Sequence, residues 1–288
     1  MNTDVFCLYL CSSAKICVLY LPHIMHEFTK NEYHTPADMP RDWLDRLGGN
    51  GRLFFHLRFA NIIIRARLVV AQGRYNRAAW TATSYAIFRL IERSGGRFHI
   101  TGLDVLRTVP GPVVIVSNHM SALENGVTIC LVAPIKPVTF VVKESLTRYP
   151  IFGPVILARD PIPVTRTQPR EDFQRVLNQG ADMLQVGKSV VVYPEGTRRR
   201  SFDAQEFNSL GVKLAKKAGV PVVPLAVKTN FWGNGQHLRD FGPIDRSQPV
   251  HMAFGEAVEV VGNGRAAHQS CLDFISGKLA AWGVPIVP

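Results

Sequence analysis

The alternation of apolar and polar positions divides the chain into two regimes. From about Phe98 onward, short runs rich in Val and Ile recur between segments of helical periodicity. Phe98–Thr101, Val113–Ser117, Val138–Val142, Ile162–Thr165, Ser189–Tyr193 and Val222–Val227 read as strands, and His251–Val260 as a later one. Arg170–Val186, Asn208–Ala218 and Ala266–Ala281 read as helices between them. The pattern predicts a single α/β domain over residues 96–288, with a mixed, largely parallel sheet flanked by helices and with ligands gathering at the carboxyl ends of the strands.

Upstream the pattern changes. Leu53 to Ala71 is nearly all apolar, broken by His56, Arg58, Asn61, Arg65 and Arg67, and Arg58, Asn61 and Arg65 share a stripe at helical spacing. Trp80–Arg93 reads as a second amphipathic helix, reached through the turn-like Gln72-Gly-Arg-Tyr-Asn76. Residues 51–95 are therefore expected to form a two-helix hairpin, either resting on a membrane surface or packed on the core with solvated arginines. Residues 1–50 are left unassigned. Val5–Met25 is mostly apolar and about as long as a membrane span, but Ser12, Ser13, Lys15, Pro22 and His23 interrupt it, so a weak anchor is the most it supports.

Composition sharpens this picture in one respect. The 288 residues carry a formal charge of +11 while only 19% are charged and 47% are hydrophobic, which excludes a disordered polycation. Nine arginines (Arg52, Arg58, Arg65, Arg67, Arg74, Arg77, Arg89, Arg93 and Arg97) face a single acid, Glu92, within residues 51–100. Most of the excess charge thus accompanies the apolar hairpin and points to an anionic lipid surface; a nucleic-acid site would call for polar, exposed basic faces. Cys7, Cys11 and Cys17 lie near the start, Cys130 and Cys271 are isolated, and no spacing suggests a disulfide framework or a metal site.

The candidate chemistry sits after predicted strands. Val113–Ser117 is followed by Asn118-His119-Met-Ser121-Ala-Leu-Glu124. On one continuous helix, five residues would set His119 and Glu124 roughly 140° apart, so the two meet only if the chain turns between them. In that case the carboxylate could fix one ring nitrogen and leave the other as a base. Ser121 to Glu124 is also a capping box, in which the acid serves backbone donors at a helix start. Ser189–Tyr193 is followed by Pro194-Glu195-Gly196-Thr197-Arg198-Arg199-Arg200, where a glycine permits close approach and an arginine fork suits phosphate oxygens. Lys143 and Arg166 follow two further strands, so three strand ends deliver cations and a fourth a histidine. No phosphate-binding loop of nucleotide hydrolases and no Gly-x-Ser-x-Gly elbow is present.

These residues resemble the glycerolipid acyltransferases typified by 1-acyl-sn-glycerol-3-phosphate acyltransferase. Asn118 to Glu124 is similar to the family's NHxSxxD block, and Tyr193 to Arg198 to its FPEGTR block. Lys143-Glu-Ser-Leu, Pro150-Ile-Phe-Gly153 and Ile162–Arg166 resemble an intervening block ending in arginine, and Val220-Pro-Val-Val-Pro224 the last one. The resemblance implies that His119 deprotonates a lysophospholipid hydroxyl for direct attack on an acyl-CoA or acyl-carrier-protein thioester, with Glu124 orienting it. It implies that Arg198, Arg166 and Lys143 bind the acceptor phosphate, with Asn118, Ser121, Glu195, Gly196 and Thr197 as supporting positions. It further implies no cofactor beyond the acyl donor, no metal, and a place on the cytoplasmic face of a membrane. Glu124 stands where the family commonly has Asp, which leaves room for a shifted pair or another lysolipid acceptor; a non-catalytic membrane-binding protein is the alternative of a different class.

Overall fold

The computed structural model describes residues 27–47, 51–236 and 239–287. Within them, strands β1 Glu32–His34, β2 Phe98–Thr101, β3 Val114–Ser117, β4 Val138–Lys143, β5 Ile162–Val164, β6 Ser189–Val192, β8 Val222–Lys228 and β9 Val250–Phe254 form one sheet, while β7 Phe202–Asp203 and β10 Ile286–Val287 pair separately. The helices are α1 Trp43–Leu47, α2 Arg52–Ala71, α3 Arg77–Arg93, α4 Val105–Thr108, α5 Leu123–Val132, α6 Glu144–Thr147, α7 Phe152–Leu157, α8 Pro169–Gln185, α9 Leu210–Ala218 and α10 Arg265–Ala281. The order across the large sheet is β1-β2-β9-β8-β3-β6-β4-β5. β8, β3, β6, β4 and β5 run parallel, and β1–β2 and β8–β9 are the antiparallel joints.

Both faces of the sheet are covered, which is why its central strands β3 and β6 are buried at every position and mostly Val and Ile. On β3, Ile115 faces a core shared with α2, α3 and α5, while Val114 and Val116 face one shared with α8, α9 and α10. Because five neighbouring strands point the same way, the ends of β3, β4, β5, β6 and β8 come together along one edge.

Several expectations are corrected. The later strand ends at Phe254, not Val260: the Gly255 N–H donates to the Pro224 carbonyl at 2.8 Å, and beyond it only Val258 bridges back, to Val222. Part of the stretch left unassigned at the start is built into the sheet, because β1 pairs with β2 and buried Tyr33 donates its hydroxyl to Glu92 at 2.8 Å. The apolar run Val5–Met25, with Cys7, Cys11 and Cys17, lies outside the described residues.

Within residues 51–95, α3 packs into the core of the sheet. α3 buries Trp80, Tyr85, Ile87, Phe88, Leu90 and Ile91 in the same core as the strands, and the Phe88 ring stacks on Phe98 at 4.1 Å. The basic residues there are largely spoken for by protein groups. Arg58 pairs with Asp42, Arg89 with Glu92 at 2.7 Å, and Arg77 donates to the Ala133 and Pro134 carbonyls at 2.5 and 2.8 Å. An arginine beside an apolar run can as readily satisfy a carboxylate or carbonyl at the domain edge as reach outward. Besides Arg52 and Asn61, α2 leaves exposed four large apolar residues, Leu53, Leu57, Ile64 and Leu68, spaced to share a face. No helix among the described residues is long and apolar enough to cross a membrane.

Candidate active site

β3 ends at Ser117, and the next residue begins the site. The Asn118 side chain imitates a ladder partner of β8, accepting from the Val227 N–H and donating to the Val227 carbonyl, both at 2.8 Å. This extends the β3–β8 pairing by one residue and fixes the point at which the chain turns away. His119 follows in the turn, clamped from the β6 side: its N–H donates to Glu195 Oε2 at 2.7 Å and its carbonyl accepts from the Arg199 N–H at 2.8 Å. Its ring stacks on Tyr193 at 4.4 Å. Backbone and ring are therefore both held before any substrate arrives.

Glu124, in the first turn of α5, is wholly buried. Oε1 lies 2.8 Å from His119 Nδ1 and also accepts from the Met120 and Ser121 N–H groups at 2.7 and 2.8 Å. Oε2 accepts from the Thr229 hydroxyl at 2.6 Å, with the Ser121 hydroxyl 3.1 Å away. Ser121 Oγ in turn accepts from the Leu123 N–H at 3.0 Å. The cap and the orienter are thus one device: the carboxylate that satisfies backbone donors at the turn is the one that grips the ring. With its extra methylene, Glu124 reaches the ring at hydrogen-bond distance.

Burial pushes the Glu124 carboxyl up, but the hydrogen bond and charge of His119, with Thr229 and the Ser121 N–H, outweigh it and hold the carboxyl below its ordinary range. An ionised carboxylate only accepts, so Nδ1 carries the proton and Nε2 is left with its lone pair.

The β6 loop supplies the second part. Gly196 has φ +66, the left-handed region, which lets Glu195 turn inward while Thr197 and Arg198 continue along the edge. Burial raises the Glu195 carboxyl to about 7, against the lowering effect of the His119 N–H and Arg199. Arg198 is ion-paired with Asp240 at 2.6 Å.

Arg166, one residue beyond Thr165 at the β5 end, also sits in the left-handed region, at φ +65. That conformation is uncommon for a residue with a side chain, and Asp172 on α8 holds it by accepting from the Thr165 and Arg166 N–H groups at 2.8 and 2.7 Å. Burial, then the charges of Arg198 and Arg239, lower the Arg166 guanidinium. Lys143 is exposed on the same edge, its backbone in register with Val164.

The structure therefore brings His119 and Glu124 into contact and sets Arg166, Arg198 and Lys143 along one edge of the sheet. Sequence reasoning missed Thr229, Asp172, Arg239 and Asp240. The first two are short polar residues whose partners are fixed only by the fold, and the last two lie in a loop with no periodicity.

A histidine held by a buried carboxylate, at the meeting of parallel strand ends that also carry arginines, suits transfer of an acyl group to a hydroxyl. Residues 97–228 match the family model described as Acyltransferase, and the chain is an O-acyltransferase. Within that class it is similar to proteins named 1-acyl-sn-glycerol-3-phosphate acyltransferase. It is 29% identical over 203 residues to a protein of that name from Pseudomonas aeruginosa, covering 70% of this chain and 75% of that one. A second, from Chlamydomonas reinhardtii, is 31% identical over 59% of this chain and 50% of its own length. The fold resembles the crystal structure of the 1-acyl-sn-glycerophosphate acyltransferase of Thermotoga maritima, with a TM-score of 0.60 at 17% identity over 82% of this chain and 96% of that one.

Proposed function

We propose that the chain transfers a fatty acyl group from a thioester donor, acyl-CoA or acyl-carrier protein, to the free hydroxyl of 1-acyl-sn-glycerol 3-phosphate, forming phosphatidate. The observation that carries this reading is the 2.8 Å contact of His119 Nδ1 with wholly buried Glu124, set at the same sheet edge as Arg166 and Arg198. The names of the relatives supply the acceptor.

In the reaction, His119 Nε2 takes the proton of the acceptor hydroxyl as its oxygen attacks the thioester carbonyl. The tetrahedral intermediate collapses by breaking the carbon–sulfur bond, and the departing thiolate receives a proton, returning His119 to its neutral form. Glu124 stabilises the transient imidazolium. No acyl-enzyme is formed. Arg198, Arg166 and Lys143 hold the phosphate, which places the hydroxyl against the base and makes the attack effectively intramolecular. Arg198→Ala is expected to raise the acceptor KM about tenfold or more while sparing the donor KM, as befits loss of a charge-assisted contact; an unchanged acceptor KM removes Arg198 from the phosphate site.

The exposed face of α2, Leu53, Leu57, Ile64 and Leu68, supports a seat at a membrane surface, where both acceptor and product reside. Leu57→Glu with Leu68→Glu is expected to weaken co-sedimentation with anionic lipid vesicles severalfold. Undiminished binding would place the membrane contact elsewhere.

A further inference from the structure

Beyond β8 the chain makes an excursion between Trp232 and Ile244, which bridge to each other as an antiparallel pair. The excursion is closed on itself. The Gly233 N–H donates to the Pro243 carbonyl at 2.9 Å, and the Gly235 N–H to the Arg239 carbonyl at 3.1 Å. Gly242 lies so close to the Gly233 carbonyl that a Cβ there would collide with it, so the two arms are locked together.

Besides Arg52 donating to the Phe241 carbonyl and Arg198 to Asn234 Oδ1, both at 3.4 Å, four ties hold the loop to its surroundings. Asn234 Nδ2 donates to the Met120 carbonyl at 2.8 Å, next to the base. His56 Nε2 on α2 lies 2.9 Å from the Gly242 carbonyl. The remaining two ties reach the phosphate edge: Arg239 donates to the Thr197 hydroxyl at 3.2 Å, and the Asp240 carboxylate lies 2.6 Å from the Arg198 guanidinium.

We propose that this loop completes the acceptor-phosphate site: Arg239 is a third guanidinium for the phosphate, and Asp240 is the anion that occupies Arg198 until the phosphate displaces it. The inference rests on the acyltransferase reading and assigns the site's preference among headgroups. Arg166, Arg198 and Arg239 carry three positive charges against two carboxylates, Asp240 and Asp172, of which Asp172 is engaged by the Thr165 and Arg166 N–H groups and only Asp240 is paired with a guanidinium of the three. A phosphomonoester at neutral pH carries roughly −1.5 to −2, whereas a phosphodiester headgroup carries about −1. Three guanidinium groups released from Asp240 match the monoester, and two with Asp240 still in place match a weaker anion. Arg239 is exposed and Thr197 is its recorded hydrogen-bond partner, so it is poised to turn onto an incoming ligand. The loop thereby selects for the free phosphate of lysophosphatidate over capped lysolipids.

The test uses the full-length protein in two assays, with Arg239→Ala and Asp240→Asn each compared with wild type and with their thermal midpoints checked. The first is equilibrium binding of sn-glycerol 3-phosphate. The second is acyl transfer to lysophosphatidate and to lysophosphatidylglycerol. Arg239→Ala is expected to weaken glycerol 3-phosphate binding and raise the lysophosphatidate KM about tenfold, with at most a twofold effect on lysophosphatidylglycerol. Asp240→Asn is expected to tighten glycerol 3-phosphate binding severalfold. Effects under twofold for Arg239→Ala on both monoester readouts overturn its role, and weaker binding by Asp240→Asn overturns the displaced-anion role by making Asp240 an orienter of Arg198. If wild type acylates neither lipid yet binds glycerol 3-phosphate through Arg239, the loop's role stands while the acyltransferase reading fails.

Discussion

Replacing His119 with alanine is expected to reduce kcat by at least about a hundredfold, and by up to ~10⁴, the range typical of removing a positioned general base. The fold should survive, because what locates residue 119 is its backbone: the N–H to Glu195 and the carbonyl to Arg199 remain in the variant. What is lost is the ring stacked on Tyr193 and the Nε2 lone pair that Glu124 leaves available. Steady-state thiol release at saturating acceptor, alongside a denaturation midpoint, separates the two effects. Equal rates in variant and wild type at equal stability would mean that the reaction does not run through His119.

Glu124 gives the second large effect, and its consequences divide by substitution. In Glu124→Gln the side-chain oxygen can still accept from the Met120 and Ser121 N–H groups and from His119 Nδ1, while its NH2 replaces the oxygen facing Thr229. The turn and the ring tautomer are kept and only the charge disappears. Since the imidazolium then forms without its counter-charge in a buried setting, kcat is expected to fall by about 10² to 10³ with a stability loss of only ~1 kcal/mol. Glu124→Ala instead strands several buried donors and is expected to destabilise the protein by about 3 to 5 kcal/mol.

The same carboxyl predicts a pH response. Its pKa in the folded state is depressed below the ordinary 4.5. Its contribution is therefore present above that value and lost as pH falls through the folded-state pKa, a slope that Glu124→Gln should flatten in acid denaturation. A Gln variant with wild-type kcat would reduce Glu124 to a cap.

Much of the site was legible because its chemistry clusters directly after strands. His119, Glu195 and Arg198 sit within a few residues of apolar runs whose period is unmistakable, and parallel neighbours must deliver their ends to one edge. The capping and orienting readings of Glu124 could not be separated by spacing, since the same carboxylate oxygen accepts from the backbone donors and lies against the His119 ring. Thr229 reaches Glu124 across 105 residues, and Asp172 supports Arg166 from a helix that reads only as amphipathic. Such contacts leave no periodic trace. The charge of residues 51–100 was only partly legible for a related reason. Composition records that arginines accompany an apolar stretch, but not that Arg58 meets Asp42 or that Arg77 closes on two carbonyls. β1 was too short to show alternation and is specified by its partner strand and by the Tyr33–Glu92 hydrogen bond.

The central claim is that acyl transfer to lysophosphatidate occurs at the His119 edge of the sheet. Purified wild-type protein in mixed lipid vesicles, given lysophosphatidate and a long-chain acyl-CoA, should release thiol and form phosphatidate one for one. Thiol release should fall to background when the acceptor is omitted, and the intact protein mass should not change on exposure to donor alone. Thiol release independent of acceptor, an acylated protein, or phosphatidate formed equally by His119→Ala would contradict the account.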